Sequence, residues 1–226
     1  ATHLIPLAGN YWQIGEGPCG PNTEVFFDRG EKYDPENIGI DLLKNDIEND
    51  RYIEIWGIVF SQYNAVNGVK REDYKELPHK NIDTGAGLER ICCVLQETET
   101  NFETDLFMPI IKSTMEIAKK PYENEYLMPY RVIADHIRTC TFALADGETF
   151  SNEGRGYVLR RLLRRAMRYA QKLGLYEPFL YKLVDTVCDV MKCYYPYLLE
   201  RKEFVKKIIE NEEKKFIKTL NSGEAI

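Results

Sequence analysis

Residues 151–168 read Ser-Asn-Glu-Gly-Arg-Gly-Tyr-Val-Leu-Arg-Arg-Leu-Leu-Arg-Arg-Ala-Met-Arg, with six arginines and no acid after Glu153. Lys172 brings the run to seven cations, so in a chain of net charge −6 the residues outside 155–172 carry −13. A segment this charged cannot be enclosed by a core, and its apolar residues say how it must fold. Leu159, Leu162, Leu163, Ala166, Ala170 and Leu173 recur at helical spacing, while Arg160, Arg161, Arg164, Arg165, Arg168 and Lys172 fall mostly off that stripe. The pattern predicts a helix that packs one face and presents a ridge of guanidinium groups on the other. Such a ridge matches phosphates along a nucleic-acid backbone, because arginine keeps its charge at any working pH and donates in a fork. A solvated face answered by acids elsewhere in the fold is the plainer alternative.

The 226 residues suffice for a sizeable core, in one large or two modest domains. There is no apolar run of membrane-spanning length, and Ala1–Gly9 lacks the basic start and apolar core of a signal peptide, so a cytoplasmic setting without a membrane partner is expected. Cys19, Cys92, Cys93, Cys140, Cys188 and Cys193 show neither C-x-x-C pairs nor regular disulfide spacing, and reduced, mostly structural thiols are expected. His3, His79 and His136 are scattered, giving a zinc site little to build from. The chain starts with alanine, which fits a piece of a longer protein.

In chain order, Gly17-Pro-Cys-Gly-Pro21 sets turn-makers just before an alternating strand. Tyr52–Asn64, rich in isoleucine, valine and aromatics, reads as a buried central strand of a mostly antiparallel sheet. Residues 78–96 pass from a short strand through Gly85 and Gly87 into a helix striped by Leu88, Ile91, Cys92 and Leu95, and the glycines leave room for a ligand against the backbone. From about residue 102 the character turns helical. A helix with Pro109 near its start, one over Tyr130–Ala145 closed by Asp146-Gly147, the arginine helix capped by Ser151 or Asn152, and two more over Phe179–Tyr194 and Pro196–Leu220 are expected.

Three motifs together, Gly17-Pro-Cys-Gly-Pro21 leading into a strand, Asp83-Thr-Gly-Ala-Gly-Leu-Glu-Arg90, and Ala134-Asp-His-Ile-Arg138 followed by Ser151-Asn-Glu-Gly-Arg-Gly-Tyr-Val-Leu-Arg-Arg161, resemble the alanyl-tRNA synthetases, a family of class II aminoacyl-tRNA synthetases. The resemblance spans essentially the whole chain. It implies an α+β fold, in which a partial class II antiparallel sheet, residues 1–122, ends an aminoacylation domain and residues 123–226 begin an all-helical tRNA-recognition domain. It implies alanine, ATP with Mg2+, and the acceptor stem of tRNA(Ala) as partners, with no zinc in this stretch. Asp83-to-Arg90 resembles class II motif 3. Arg90 is then the ATP-phosphate contact, Asp83 the anchor for the substrate ammonium, and Gly85 and Gly87 keep the floor of the site open. Trp12 and Val59 match residues that wall the pocket for the alanine methyl group. Asn152, Arg155, Arg160, Arg161, Arg164 and Arg165 approach the acceptor stem, whose wide minor groove an amide and phosphate-bound arginines can read.

The chain departs from the family pattern at two places. Gly57 stands where the strand usually has asparagine, and Asn22 stands where a second cysteine commonly follows the Gly-Pro-Cys-Gly-Pro run, so no metal pair is inferred. Class II motifs 1 and 2 and the editing domain are expected outside these residues, which leaves this piece inactive alone. The alternatives are a non-catalytic RNA-binding helical module derived from a synthetase and a structural scaffold without a nucleic-acid partner.

Overall fold

β-branched and aromatic residues at alternate positions extend the first part of the chain into strands. In the computed structural model, which describes residues 3–223, β1 (Tyr11–Gln13), β2 (Gly17–Asp28), β3 (Tyr52–Ala65) and β4 (Lys75–Ala86) form one sheet in sequence order. Every pairing is antiparallel. β3 is central as expected, but its residues are half-buried rather than buried, with only Ala65 fully enclosed. Neither face of the sheet is closed over by a helix layer within residues 3–101, and this leaves Val25, Phe26, Phe27, Trp56 and Ile82 exposed. The short α1 (Asp41–Lys44) lies in the connection from β2 to β3. That connection is held by buried Asp34, which accepts from the backbone N–H of Ile38 and Gly39 and from Arg51. These donors, the Gly39 amide foremost, hold the Asp34 carboxyl below the usual carboxylate range.

The strand expected before Gly85 is longer than its local sequence suggested, running from Lys75 through the glycine to Ala86, because β3 supplies pairing partners up to Trp56. Gly87 then caps α2 (Leu88–Leu95).

The compact units divide between Asn101 and Phe102, where the sequence turns helical. The boundary drawn near Glu123 lies further on, because α3 (Met108–Ala118), with Pro109 in its first turn, joins the helical core through Phe107, Ile110 and Ile111. The core continues through α4 (Leu127–Ala145), α5 (Gly154–Lys172), α6 (Leu180–Met191) and α7 (Tyr197–Gly223). Tyr130, Ile133, Ile137, Leu144, Leu163, Leu180, Leu183 and Ile209 are enclosed at its centre. The apolar stripe of α5 is Leu159, Leu163, Ala166, Met167 and Ala170, with Leu162 only half-buried.

Ser151 and Asn152 do not cap α5. Its N-cap is Glu153, without a side-chain cap bond. The Ser151 hydroxyl donates to the Glu153 carbonyl, and the Asn152 amide oxygen is taken by Arg160. Gly156 is required where the chain doubles back, since a Cβ there would strike the carbonyl oxygen of Thr149.

The start of α6 is capped from a distant element. Glu213 of α7, 1% exposed, accepts from the backbone N–H of Phe179 and Leu180 at 2.9 Å and of Tyr181 at 3.1 Å. Burial nonetheless pushes its carboxyl up from 4.5 to about 7, against the pull of those donors. A carboxyl raised in the fold binds its proton more tightly there than in the unfolded chain, so the stabilisation is complete below pH about 4.5 and lost as pH rises through about 7. The helical unit should therefore melt at lower temperature at pH 8 than at pH 5, by up to about 3 kcal/mol of stability. Glu213→Gln should flatten that slope in calorimetric melts. A midpoint that rises with pH through this window would show that the amide donors win.

Candidate functional site

Antiparallel pairing brings two of the motifs together. Val59 of β3 is the cross-strand partner of Asp83 on β4, and Gly57 is the partner of Gly85. Residues two apart on a strand share a face, so these four lie on one face, with Val59 beside a carboxylate and two glycines beyond. The glycine end is an open floor: a Cβ at residue 85 would meet nothing within 4 Å, and one at residue 57 only the Glu54 carboxylate at 3.7 Å. Asp83 is exposed and accepts the N–H of Thr84 at 2.8 Å. Thr84 bonds the indole of Trp56 and donates to the Gly57 carbonyl at 3.1 Å, which ties β4 to β3 at the floor.

Trp12 pairs with Gly20 of β2, and its indole donates to the Phe60 carbonyl on β3 at 3.0 Å, next to Val59. Gly20 permits this layering, since a Cβ there would collide with that same carbonyl oxygen. Arg90 lies on the first turn of α2 and donates through Nη1 to the Glu54 carbonyl and carboxylate, each at 3.0 Å. A side chain at Gly87 would crowd the Arg90 stem, with Cδ 3.1 Å from the added Cβ. Both partners of the Arg90–Glu54 pair are substantially exposed, so the pair is weak and readily exchanged for a stronger anion.

The helical unit sorts the arginines of α5 into classes the sequence did not separate. Arg155, almost fully exposed, lies 3.3 Å from Glu148. Arg160 and Arg164 are only partly exposed and converge on one oxygen of Glu212 from α7, which is 3% exposed. Arg161, Arg165, Arg168 and Lys172 are exposed and follow one another at intervals of four, three and four residues, a straight stripe about 16 Å long opposite the buried face. Among the described residues no carboxylate pairs with any of these four. Arg161 lies over the Tyr157 ring, and Arg165 and Lys172 over Tyr169, at 5.7, 5.7 and 4.8 Å. Cations left without a carboxylate keep their donors available to an anion, and the neighbouring rings already offer their faces to three of the four.

In the remaining motif, His136 is buried and its Nδ1 lies 2.7 Å from the Asp135 carboxylate, while Arg138 lies over the Phe107 ring at 4.2 Å. All six cysteines are free thiols, and burial pushes Cys140 up to about 12 and Cys188 up to about 11. Among the described residues no group of three His, Cys, Asp or Glu could hold a metal ion, and no helix is long and apolar enough to cross a membrane.

The family model for class II (A) tRNA synthetases matches residues 1–226. The chain belongs to that family. Over 224 residues it is 62% identical to an alanine–tRNA ligase of Streptococcus sanguinis (strain SK36) and 61% identical to one of Streptococcus pneumoniae (strain D39), and over 223 residues 60% identical to one of Streptococcus suis (strain 98HAH33). These matches cover 98–99% of the chain but 26% of each relative, so this synthetase chain spans about a quarter of the length of the relatives it matches.

Sequence reading missed Glu54 and Glu212. Glu54 gave no signal, since a glutamate on a strand is unremarkable until Arg90 is seen to reach it. Glu212 did carry one: Val205, Ile209 and Phe216 of α7 are buried, and Glu212 falls in phase with them at a position where an apolar residue belongs.

Gly20 and Gly85 of the sheet should respond differently to a methyl group. Gly20→Ala should destabilise residues 3–101 by about 2 kcal/mol or more, because backbone must move, whereas Gly85→Ala should stay within about 0.5 kcal/mol. Urea unfolding followed by tryptophan fluorescence distinguishes them.

Proposed function

We propose that this chain contributes the motif 3 end of an alanine-activating site and the first part of the tRNA-binding surface of an alanine–tRNA ligase. The observation that carries the reading is the β3–β4 register, with Val59 opposite Asp83 and Gly57 opposite Gly85. It offers the three things that bound alanine needs: a carboxylate for the ammonium, an apolar wall for one methyl group, and bare backbone where the substrate must lie close. Trp12 supplies a second wall through its anchor on Phe60.

In the proposed reaction a carboxylate oxygen of alanine attacks the α-phosphorus of ATP, the bond to the bridging oxygen breaks, and pyrophosphate leaves. A ribose hydroxyl at the 3′ end of tRNA(Ala) then attacks the carbonyl carbon of the adenylate, and AMP leaves. No protein nucleophile is required, so the chain's contribution is position and charge. Asp83 orients the ammonium. Arg90 exchanges the Glu54 carboxylate for a phosphate, with Gly87 leaving room for its stem, and Mg2+ arriving with ATP would supply further positive charge to the phosphates. The motif 2 arginine expected at the α-phosphate is assigned to sequence outside these residues. A pocket that tests one methyl group separates alanine from glycine or serine by only about 1–3 kcal/mol, so editing is assigned elsewhere as well.

The acid-free stripe Arg161–Arg165–Arg168–Lys172 supports the RNA part of the reading, with Asn152 and Arg155 beyond its N-terminal end, Arg160 and Arg164 along its flank, and the acceptor stem as ligand. The setting is cytoplasmic. A second reading, an RNA-binding module without catalysis, draws support from the helical unit's own closed core.

Alanine-dependent exchange of pyrophosphate into ATP tests the proposal. The expected outcome is no exchange by this chain alone, exchange on addition of a segment bearing motifs 1 and 2, and a loss of about a hundredfold or more for Arg90→Ala in that mixture. Silence in the mixture of folded, associated pieces, together with salt-sensitive RNA binding, would favour the module instead.

A further inference from the structure

Glu212 sits where its charge should be least welcome to the protein and least useful to an RNA ligand. It is 3% exposed, in phase with the apolar stripe of α7, and it places a negative charge directly behind the cationic face of α5. Its Oε1 accepts from Nε and Nη2 of Arg164 at 3.0 and 2.8 Å and lies 3.3 Å from Nε of Arg160. The Arg160 Nε–H is not aligned to bond that oxygen and has no other partner, so the contact there is mainly one of charge. Through Nη1, Arg160 in turn bonds the amide oxygen of Asn152. Phe216, one turn beyond Glu212 on α7, lies 5.0 Å from the Arg164 guanidinium. One carboxylate thus holds two guanidiniums a single helical turn apart, against their mutual repulsion, and the second guanidinium holds the amide.

Buried ion pairs seldom add much stability over an apolar replacement, and their best-attested benefit is a fixed geometry. Two guanidiniums against one carboxylate leave the cluster net positive, and each guanidinium keeps donors that Glu212 does not take. An arginine already fixed loses little rotamer freedom when a ligand arrives, whereas a free one must be ordered at that moment. We propose that Glu212 is a positioning residue for RNA recognition: from α7 it braces Arg160 and Arg164, and through Arg160 it sets the Asn152 amide. This rests on the reading of α5 as the RNA-facing helix. The face then has two parts, a braced group at 152, 160 and 164 that recognises shape, and the unpaired stripe at 161, 165, 168 and 172 that supplies salt-sensitive attraction.

The sign of the effect separates this from simple electrostatics. Removing an acid beside a cationic face should strengthen RNA binding if charge alone matters, and weaken it if the acid positions the cations. Titration of a labelled tRNA(Ala) acceptor-stem hairpin with the chain, read by fluorescence anisotropy, is the test. Glu212→Gln should weaken binding about tenfold in protein shown folded by its helical circular dichroism. Arg164→Ala made on top of it should cost no more than about twofold further, while Arg168→Ala should cost the same in either background. Arg164→Lys, which keeps the charge and loses the fork, should weaken binding several-fold and provides the reading if Glu212→Gln fails to fold. Equal or tighter binding by folded Glu212→Gln, full additivity with Arg164→Ala, or unchanged affinity for Arg164→Lys would overturn the inference alone. A parent chain that does not bind the hairpin even at low salt would overturn the RNA reading and this inference with it.

Discussion

Two adjacent buried carboxylates on α7 organise the helical unit. Glu212 and Glu213 are both nearly inaccessible, and neither could be enclosed as a bare charge. Glu213 is answered by three backbone N–H groups at the start of α6, and Glu212 by two arginines of α5. The N-terminus of α6 has no cap of its own, so the demand of one helix end for acceptors and the demand of a buried acid for donors are met by the same contact. α7 is thereby fixed against α5 and α6 in rotation and register, which the leucines and valines between them could not specify as narrowly.

The same economy shapes the cationic helix. A face made only of arginines would repel itself and pay heavily to order each side chain on a ligand. Here part of the charge is tied to Glu212 and part left free, stacked beside Tyr157 and Tyr169. Under the proposed RNA reading, unpaired charge would supply affinity and fixed groups selectivity, and α5 holds both kinds of group side by side.

In the sheet the governing constraint is absence of side chains. Gly20 allows the layering that brings the Trp12 indole to Phe60, while Gly57 and Gly85 pair to leave bare backbone beside Val59 and Asp83. The first glycine is required by packing and the other two leave a vacancy, a distinction visible only from what a Cβ at each would meet.

Much of this was legible in the sequence. The period of apolar residues determined the five long helices and the face that α5 buries, because an amphipathic stripe admits one solution, and the β-branched run at Tyr52–Asn64 determined a central strand. The motifs determined the family. What the tertiary structure decided were the matters that depend on partners distant in the chain. It extended β4 through Gly85, since a strand ends where its neighbour stops pairing. It moved the cap of α5 from Ser151 or Asn152 to Glu153, since Asn152 found Arg160 instead. It left β3 half-buried, since burial is a property of what lies above a strand and not of its residues. It divided the arginines into braced and free, because local spacing gives each of them a direction while only packing supplies an acid 48 residues away.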